Sequence, residues 1–287
     1  MTQRLFAVFV AGVLSVTILS GTSNAGLLLY EPFDYSGTDI ATGSGGIWTD
    51  SASLNWNSLP YGTVAPVTLS GDSTSLVYPG PGGSEGARVA DTGGGTALRS
   101  LGTGVSINLA SDNTYYVSML VRGSGVLHFV YGPHTNNQYY VRTALGIWSG
   151  NFAVGQNQSS AYSADYSNGT YNSDETYLLV AKIDANTSSS DEFFLKVYDS
   201  SMTPDLTEPA FFDLSATASS GVNMTYMLIG MIDNGEVDEI RVGTEWGDVI
   251  SIPEPATASL LFAAIAPLAL VTLRFRRRRP RGRAITA

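Results

Sequence analysis

The residues whose spacing best suits chemistry form an acidic run, Glu236-Val237-Asp238-Glu239. In a β-strand, side chains two positions apart lie on the same face of the sheet. Glu236 and Asp238 would then stand side by side, at about the 5 Å that separates the nucleophile from the acid/base in retaining glycoside hydrolases. The run is therefore a candidate two-carboxylate site.

The same run partly resembles the E-x-D-x-E or E-x-D-x-x-E signature of laminarinase-type glycoside hydrolases. That resemblance implies a final acid where this sequence has Ile240 and Arg241. Those enzymes also continue through a long stretch of sandwich after the motif, which this chain does not have before its C-terminal tail. We therefore predict a non-enzymatic domain, and keep a glycan-active hydrolase as the second alternative.

Carboxylates near both ends of the central region could bind a structural calcium ion. Glu31 and Asp34 at the first predicted strand, with Asp238 or Glu239 at the last, could supply hard oxygen ligands across paired strands. The alternative is a set of solvated charges at a sheet edge, which the lack of an Asp-rich loop with calcium-ligand spacing favours.

Aromatic residues suggest a carbohydrate site. Four of them, Tyr131, Tyr139, Tyr140 and Trp148, fall within 18 residues. Such rings are apolar on the face and polar at the tip, which suits stacking against a sugar. The cores of β-sandwiches use the same residues, so core packing is the competing interpretation and the one that we favour.

Other site chemistries find little support. His128 and His134 are the only histidines, and their spacing reveals no partners for a metal site or a catalytic triad. Cysteine is absent, which excludes disulfides, thiolate ligands and a cysteine nucleophile.

The central region, residues 26 to 252, is strongly acidic. It holds seven basic and 24 acidic residues, so its formal charge is −17, although the whole chain carries only −10. A domain of this charge repels phosphates, which excludes nucleic acid as a partner.

Short alternating apolar runs predict one antiparallel all-β domain. The odd positions from Tyr115 to Val121 are apolar, and Tyr177 to Ile183 repeats the pattern. A polar link from Ala185 to Ser190 is short enough for a hairpin. Residues Ser159 to Asp174 are predicted to be the longest loop. The number of predicted strands suits a jelly-roll sandwich.

Two segments resemble the terminal strands of concanavalin A-like or laminin G-like sandwiches. They are Tyr30-Glu31-Pro32-Phe33-Asp34-Tyr35 and the run from Val237 to Trp246. The resemblance implies that these two strands pair side by side. It implies little about function, because such folds host lectins, hydrolases and spacers alike.

The N-terminus predicts export. Arg4 precedes an apolar run from Leu5 to Leu19, and small residues lead to a predicted signal peptidase cleavage between Ala25 and Gly26. Residues 1 to 25 are thus predicted to be a signal helix that is removed.

The C-terminal segment, residues 253 to 287, has three parts. Pro253-Glu254-Pro255 is followed by 18 uncharged residues, 256 to 273, and then by seven arginines between Arg274 and Arg283. A helix of 18 residues reaches roughly 27 Å, enough to span a bilayer once. The arginines predict that the C-terminus stays in the cytoplasm and the domain outside.

This order resembles the PEP-CTERM sorting signal of Gram-negative bacteria. The resemblance implies that an exosortase recognises Pro253, Glu254 and Pro255, cuts nearby, and delivers the domain to the cell surface or the extracellular matrix. An ordinary single-pass anchor is the alternative. The sequence thus favours an exported, structural or adhesive protein, with a carbohydrate-binding module for exopolysaccharide as the first alternative.

Overall fold

The computed structural model describes a set of residues that stops short of both predicted targeting segments. These residues are 26–35, 40, 44, 47–50, 67–69, 76, 78, 90–91, 96–130, 141–148, 150–158, 161–166, 171–218, 221–230 and 235–250. They all belong to one compact unit that ends at Ser251. The predicted signal helix (1–25), transmembrane helix (256–273) and Pro-Glu-Pro motif lie outside the described residues.

Among the described residues, the first sheet has eight strands. In spatial order they are β14 (Leu214–Ala218), β13 (Asp191–Tyr198), β12 (Thr176–Ala185), β7 (Asn113–Gly123), β17 (Gly235–Gly243), β4 (Ala90–Asp91) and β3 (Thr68–Leu69), with β1 (Leu27–Glu31) also paired to β17. Every pairing in it is antiparallel.

The second sheet has seven strands in the part of the chain that the structure describes, and they are also antiparallel. Their order is β11 (Ala161–Tyr166), β10 (Asn151–Gln158), β9 (Val141–Trp148), β8 (Val126–Val130), β16 (Tyr226–Gly230), β5 (Thr96–Ser100) and β2 (Trp48–Asp50). Two short strands, β6 (Ile107–Asn108) and β15 (Asn223–Met224), pair separately. The predicted fold class, antiparallel all-β, is confirmed.

The main core lies between the two sheets. Odd-numbered residues of β7 and β12, such as Val117 and Leu179, meet residues of the second sheet such as Phe129 and Ile147. Strand alternation explains the arrangement, because one face of each strand carries the apolar residues. The inward face predicted for β7 is thus confirmed.

A second apolar layer covers the outer face of the first sheet. Leu120 and Tyr198 point away from the main core and pack with Leu76 and with Trp246 of a short helix, α1 (Trp246–Ile250). Asp238 Oδ2 accepts a hydrogen bond from the amide of Leu76 over 3.0 Å, which ties this covering segment to β17. The sequence predicts Trp246 as a core or edge-covering residue, but it does not predict the helix.

The terminal strands pair as the resemblance implies. Strand β1 runs antiparallel to β17, with Glu31 opposite Ile240. A bulge interrupts the pairing of β17 with β7 between Asp238 and Arg241, and Glu239 there has a φ of 50°. Because the bulge adds a residue, Val237 and Ile240 both face the core.

Two loop predictions have different outcomes. The link after Ala185 joins β12 to β13 as an antiparallel hairpin, as predicted. The predicted loop from Ser159 to Asp174 is wrong in part, because Ala161–Tyr166 forms β11 against β10. This strand lacks an apolar alternation, so its pairing depends on the neighbouring strand rather than on its own sequence. Within the described ranges, no helix has the length and apolar character needed to cross a membrane.

Candidate ligand-binding cleft

An open cleft of about 530 Å³ lies where the main core reaches the edge formed by β13 and β14. Its floor is apolar and comes from both sheets: Phe152 on β10, Tyr177 on β12, Val197 on β13 and Leu214 on β14. Tyr177 and Leu214 belong to the main core, and the other two residues pack against it. The cleft is therefore an opening into the core at the edge of the sandwich.

Aromatic rings give the cleft its shape. The rings of Phe152 and Tyr177 meet edge to face, with centroids 5.0 Å apart and planes at 76°. Tyr171 adds a third, partly exposed ring, whose hydroxyl lies 3.4 Å from Ser124 Oγ. Edge-to-face packing holds the first two rings in place, because it is a favoured geometry for aromatic pairs.

The rim carries polar groups on a tight turn. Asn172 Oδ1 accepts from the amide of Asp174 over 3.1 Å, and the Asn172 carbonyl accepts from the amide of Glu175 over 3.1 Å. The amide of Asn172 in turn donates to the Tyr177 hydroxyl over 2.9 Å. An Asx turn of this kind orients the Asn172 and Glu175 side chains beside the floor.

Two rim carboxylates are held by hydroxyl and amide donors rather than by cations. Glu175 Oε1 accepts from the Ser200 hydroxyl at 2.6 Å and from its amide at 3.1 Å. Asp199 Oδ1 accepts from the Ser201 hydroxyl at 2.6 Å and from its amide at 2.8 Å. These hydrogen bonds lower the pKa of both carboxyl groups, so both are ionised at neutral pH.

A third carboxylate, Asp213, forms an ion pair with a lysine. Its Oδ1 accepts from Lys196 Nζ over 3.1 Å, and its Oδ2 accepts from the amide of Val197 over 2.8 Å. None of the described residues that line the cleft is basic. The lining therefore carries uncompensated negative charge from Glu175 and Asp199.

The connection between β13 and β14, residues 199 to 213, forms one wall and is anchored to the sheet. Asp205 Oδ2 accepts from the Tyr198 hydroxyl over 3.0 Å, and its carbonyl accepts from Trp246 Nε1 over 2.8 Å. Glu208 accepts from Lys182 Nζ over 2.8 Å and from the Tyr116 hydroxyl. These contacts fix the wall before any ligand arrives, which lowers the entropic cost of binding.

The residues predicted as calcium ligands do not form a metal site. Both oxygens of Glu31 accept protein donors: the Phe33 amide at 2.8 Å, the Tyr35 hydroxyl at 2.7 Å, Trp48 Nε1 at 3.0 Å, and Arg99. Asp34 is exposed, and Asp238 is buried and accepts from the amides of Leu76 and Glu239. Within the described part of the chain, no group of three or more acidic or histidine side chains could hold a metal ion.

The acidic run offers no accessible pair of carboxylates. Asp238 and Glu239 are 0% and 3% exposed, and Glu239 Oε2 lies 3.4 Å from Arg241 Nη2. Glu236 pairs with Arg122 at the sheet surface. The bulge between Asp238 and Arg241 affects packing, because it returns Ile240 to the core.

The predicted aromatic site is only partly described. Trp148 packs edge to face against His128, at 6.1 Å between ring centroids. It lies on the face of β9 opposite to Ile147, which points into the core, so it is outside the cleft. Tyr131, Tyr139 and Tyr140 lie outside the described residues. His128 is buried, and its Nδ1 lies within hydrogen-bonding distance of the Thr143 carbonyl.

Sequence reasoning did not find the cleft. Its aromatic floor joins Phe152 to Tyr177, which belong to different sheets, and Tyr177 was predicted only as a core residue. One available indication is the pair of segments Asn-Ser-Asp (172–174) and Asp-Ser (199–200), which are typical of Asx and Ser turns.

No protein-family model matches the chain, and no curated protein matches its sequence. Several solved structures have a distantly similar fold. A carbohydrate esterase from the Shiga toxin-encoding bacteriophage phi24B is 9% identical, with a TM-score of 0.38, over 76% of this chain and 98% of its own.

Two polysaccharide lyases give similar values. An endo-β-1,4-glucuronan lyase from the fungus Trichoderma reesei is 10% identical, with a TM-score of 0.34, over 66% of this chain and 93% of its own. The alginate lyase Aly36B is 10% identical, with a TM-score of 0.32, over 75% of this chain and 95% of its own. Similarity at these TM-scores says nothing about the activity of this chain.

Proposed function

We propose that this protein is a non-catalytic glycan-binding protein and that the cleft around Tyr177 holds the sugar. The observation that carries the proposal is an open, pre-formed cleft in which three aromatic rings adjoin polar rim groups. Ligand sites usually combine an apolar lining with a few fixed polar groups. A saccharide has the matching surface, since its ring has an apolar face and hydroxyl groups around the edge.

Each part of the cleft then has a role. Tyr171, which is partly exposed, stacks on a sugar face. Asn172, Glu175 and Asp199 exchange hydrogen bonds with hydroxyl groups, because carboxylates and amides offer strong acceptors at fixed positions. The surrounding domain is proposed to be a concanavalin A-like jelly-roll that supports these residues.

The test is binding of the purified chain to a panel of immobilised glycans, followed by titration calorimetry with the best oligosaccharide. We expect saturable binding that weakens when Tyr171 is replaced by alanine. If no glycan of the panel binds, the proposal fails. If a bound glycan is cleaved, the hydrolase alternative replaces it.

The C-terminal segment supports a second proposal, about delivery. Pro253-Glu254-Pro255, the uncharged segment 256–273 and the arginines after it have the order of an exosortase substrate. The predicted signal peptide 1–25 fits the same route. We therefore propose that the domain is exported, held briefly as a single-pass membrane intermediate, and then released to the cell surface or matrix, where glycan binding makes it adhesive.

This proposal is tested by expressing the chain in a Gram-negative host that has an exosortase and in the same host without that gene. We expect a shortened form outside the cell only when the exosortase is present. Replacing Pro253, Glu254 and Pro255 by alanine should leave the full-length form in the membrane. Equal processing in both hosts would contradict the proposal.

A further inference from the structure

We infer that the cleft selects a cationic glycan, one whose sugar units carry a free ammonium group, over neutral and acidic glycans. This inference rests on the proposed function and names the ligand class. It starts from the charge of the cleft. Glu175 and Asp199 contribute two negative charges, while Asp213 is paired with Lys196.

The two charges are fixed. Each carboxylate is held by the hydroxyl and amide of one serine, Ser200 for Glu175 and Ser201 for Asp199, at 2.6 to 3.1 Å. Hydrogen bonds from neutral donors orient a carboxylate without cancelling its charge. The remaining attraction is therefore directed at whatever enters the cleft.

The same two charges also act on a neighbouring tyrosine, Tyr78. Tyr78 packs behind Asp199, and its hydroxyl lies 2.8 Å from the carbonyls of Asp199 and Met202. Burial raises its pKa, and the charges of Asp199 and Glu175 raise it further. Both carboxylates therefore make the same region electrostatically negative.

Aromatic faces add a second attraction for cations. An ammonium group over a tyrosine or phenylalanine ring gains energy from the negative face of the ring. Tyr171, Tyr177 and Phe152 line the same cleft as Glu175 and Asp199. Carboxylates beside aromatic rings suit an organic ammonium better than a neutral hydroxyl group.

Other ligands fit less well. An acidic polysaccharide would bring carboxylates toward a negative rim inside a domain of formal charge −17. A bare divalent cation would need three or more close ligands, and the described residues form no such group. A lysine-rich peptide carries ammonium groups but lacks a ring with an apolar face to stack on Tyr171, so a sugar is favoured.

The experiment compares four tetrasaccharides by titration calorimetry on the unmodified chain. They are the tetramers of glucosamine, N-acetylglucosamine and glucose, and an alginate tetramer. The first two differ only in whether the amino group is a free ammonium or is acetylated. We expect the glucosamine tetramer to bind about tenfold or more tighter than the others, as one cation–π contact and one carboxylate contact would give. Added salt should weaken that binding.

Variants then assign the effect to the cleft. Glu175→Gln with Asp199→Asn should reduce glucosamine binding about tenfold and remove its salt dependence. Asp112→Asn is the matched control: Asp112 also accepts the hydroxyl and amide of one residue, Thr187, but lies outside the cleft. It should bind like the unmodified chain.

Each outcome decides between the two proposals. If the acetylated or glucose tetramer binds as tightly as glucosamine, cation selection is wrong and glycan binding stands. If no tetramer binds and the glycan panel is negative, the proposed function itself fails. If tetralysine binds as tightly as the glucosamine tetramer, the cleft recognises ammonium rather than sugar, and the inference is overturned.

Discussion

The hydroxyl of Tyr177 donates a hydrogen bond to Glu175 Oε2 over 3.1 Å. The ring of Tyr177 belongs to the main core, whereas Glu175 stands on the rim of the cleft. This contact therefore links a buried strand to a residue that lines the cleft. The same hydroxyl accepts from the amide of Asn172, so one atom organises the whole turn.

Replacing Tyr177 by phenylalanine tests this link. The ring stays, while the turn loses its anchor, so we expect glycan binding to weaken severalfold and the free energy of unfolding to fall by about 1 kcal/mol. Tyr115→Phe is the control, because the Tyr115 hydroxyl likewise accepts a backbone amide, from Asn108 over 3.1 Å, but lies outside the cleft. It should lose similar stability in urea titrations and keep full binding.

The location of the sugar site is tested by two aromatic substitutions. Tyr171→Ala removes a ring from the cleft and should weaken glycan binding by about 1 to 3 kcal/mol, the scale of one lost ring contact. Trp148→Ala removes a larger ring that packs on His128, on the other face of β9. Calorimetry should show unchanged affinity for this variant. A larger loss of affinity with Trp148→Ala than with Tyr171→Ala would show that the site lies on the outer face of the second sheet.

Glu31 should be a major source of stability. Its side chain is fully buried and accepts from Trp48 Nε1 and Arg99, so Glu31→Gln breaks a buried ion pair. We expect a loss of roughly 3 to 5 kcal/mol in chemical unfolding. The control, Glu236→Gln, breaks a partly exposed pair with Arg122 and should cost at most about 1 kcal/mol. Equal effects would show that burial does not set the energy of these pairs.

The sequence predicts those parts of this fold that depend on local pattern. Alternation in β7 and β12, the hairpin after Ala185 and the pairing of β1 with β17 all follow from nearby residues or from a resemblance of the strands. The charge of the central region is likewise a property of composition alone.

The cleft could not be predicted in the same way. Phe152 and Tyr177 meet because two sheets pack, and no local pattern says which residues of one sheet face which residues of the other. Glu31 shows the same limit. Its place beside the acids of the last predicted strand suggests a metal ligand, but Trp48 and Arg99, which are distant in sequence, donate to its oxygens.

Gly235 tests how closely two strands approach. A Cβ at this position would lie 2.0 Å from the Ser124 carbonyl oxygen, a backbone atom that cannot move independently. We expect Gly235→Ala to cost more than about 2 kcal/mol, as overpacking does. Gly247→Ala is the control, because a Cβ on Gly247 in α1 meets nothing within 4 Å. Thermal unfolding should show a small gain or no change for it.

Five tyrosines among the described residues should make the protein sensitive to alkali. Burial, the largest cause, together with nearby carboxylates raises the pKa of these tyrosines in the folded state; they are Tyr35, Tyr78, Tyr116, Tyr177 and Tyr198. Unfolded tyrosine titrates near pH 10. A group whose folded pKa is raised contributes stability that is complete below its unfolded pKa and is lost as pH rises toward its folded pKa.

We therefore expect the free energy of unfolding to fall above about pH 10, by at most about 1.4 kcal/mol per pH unit for each of these tyrosines. Urea titrations across the alkaline range measure this slope. Tyr116→Phe removes one titrating hydroxyl, together with its contact to Glu208, and should reduce the slope by the share of that one tyrosine. Because the hydroxyls of Tyr78, Tyr116 and Tyr198 also anchor the wall of the cleft, glycan binding should be lost over the same range. A flat stability profile through this range would show that these tyrosines titrate alike in the folded and unfolded states.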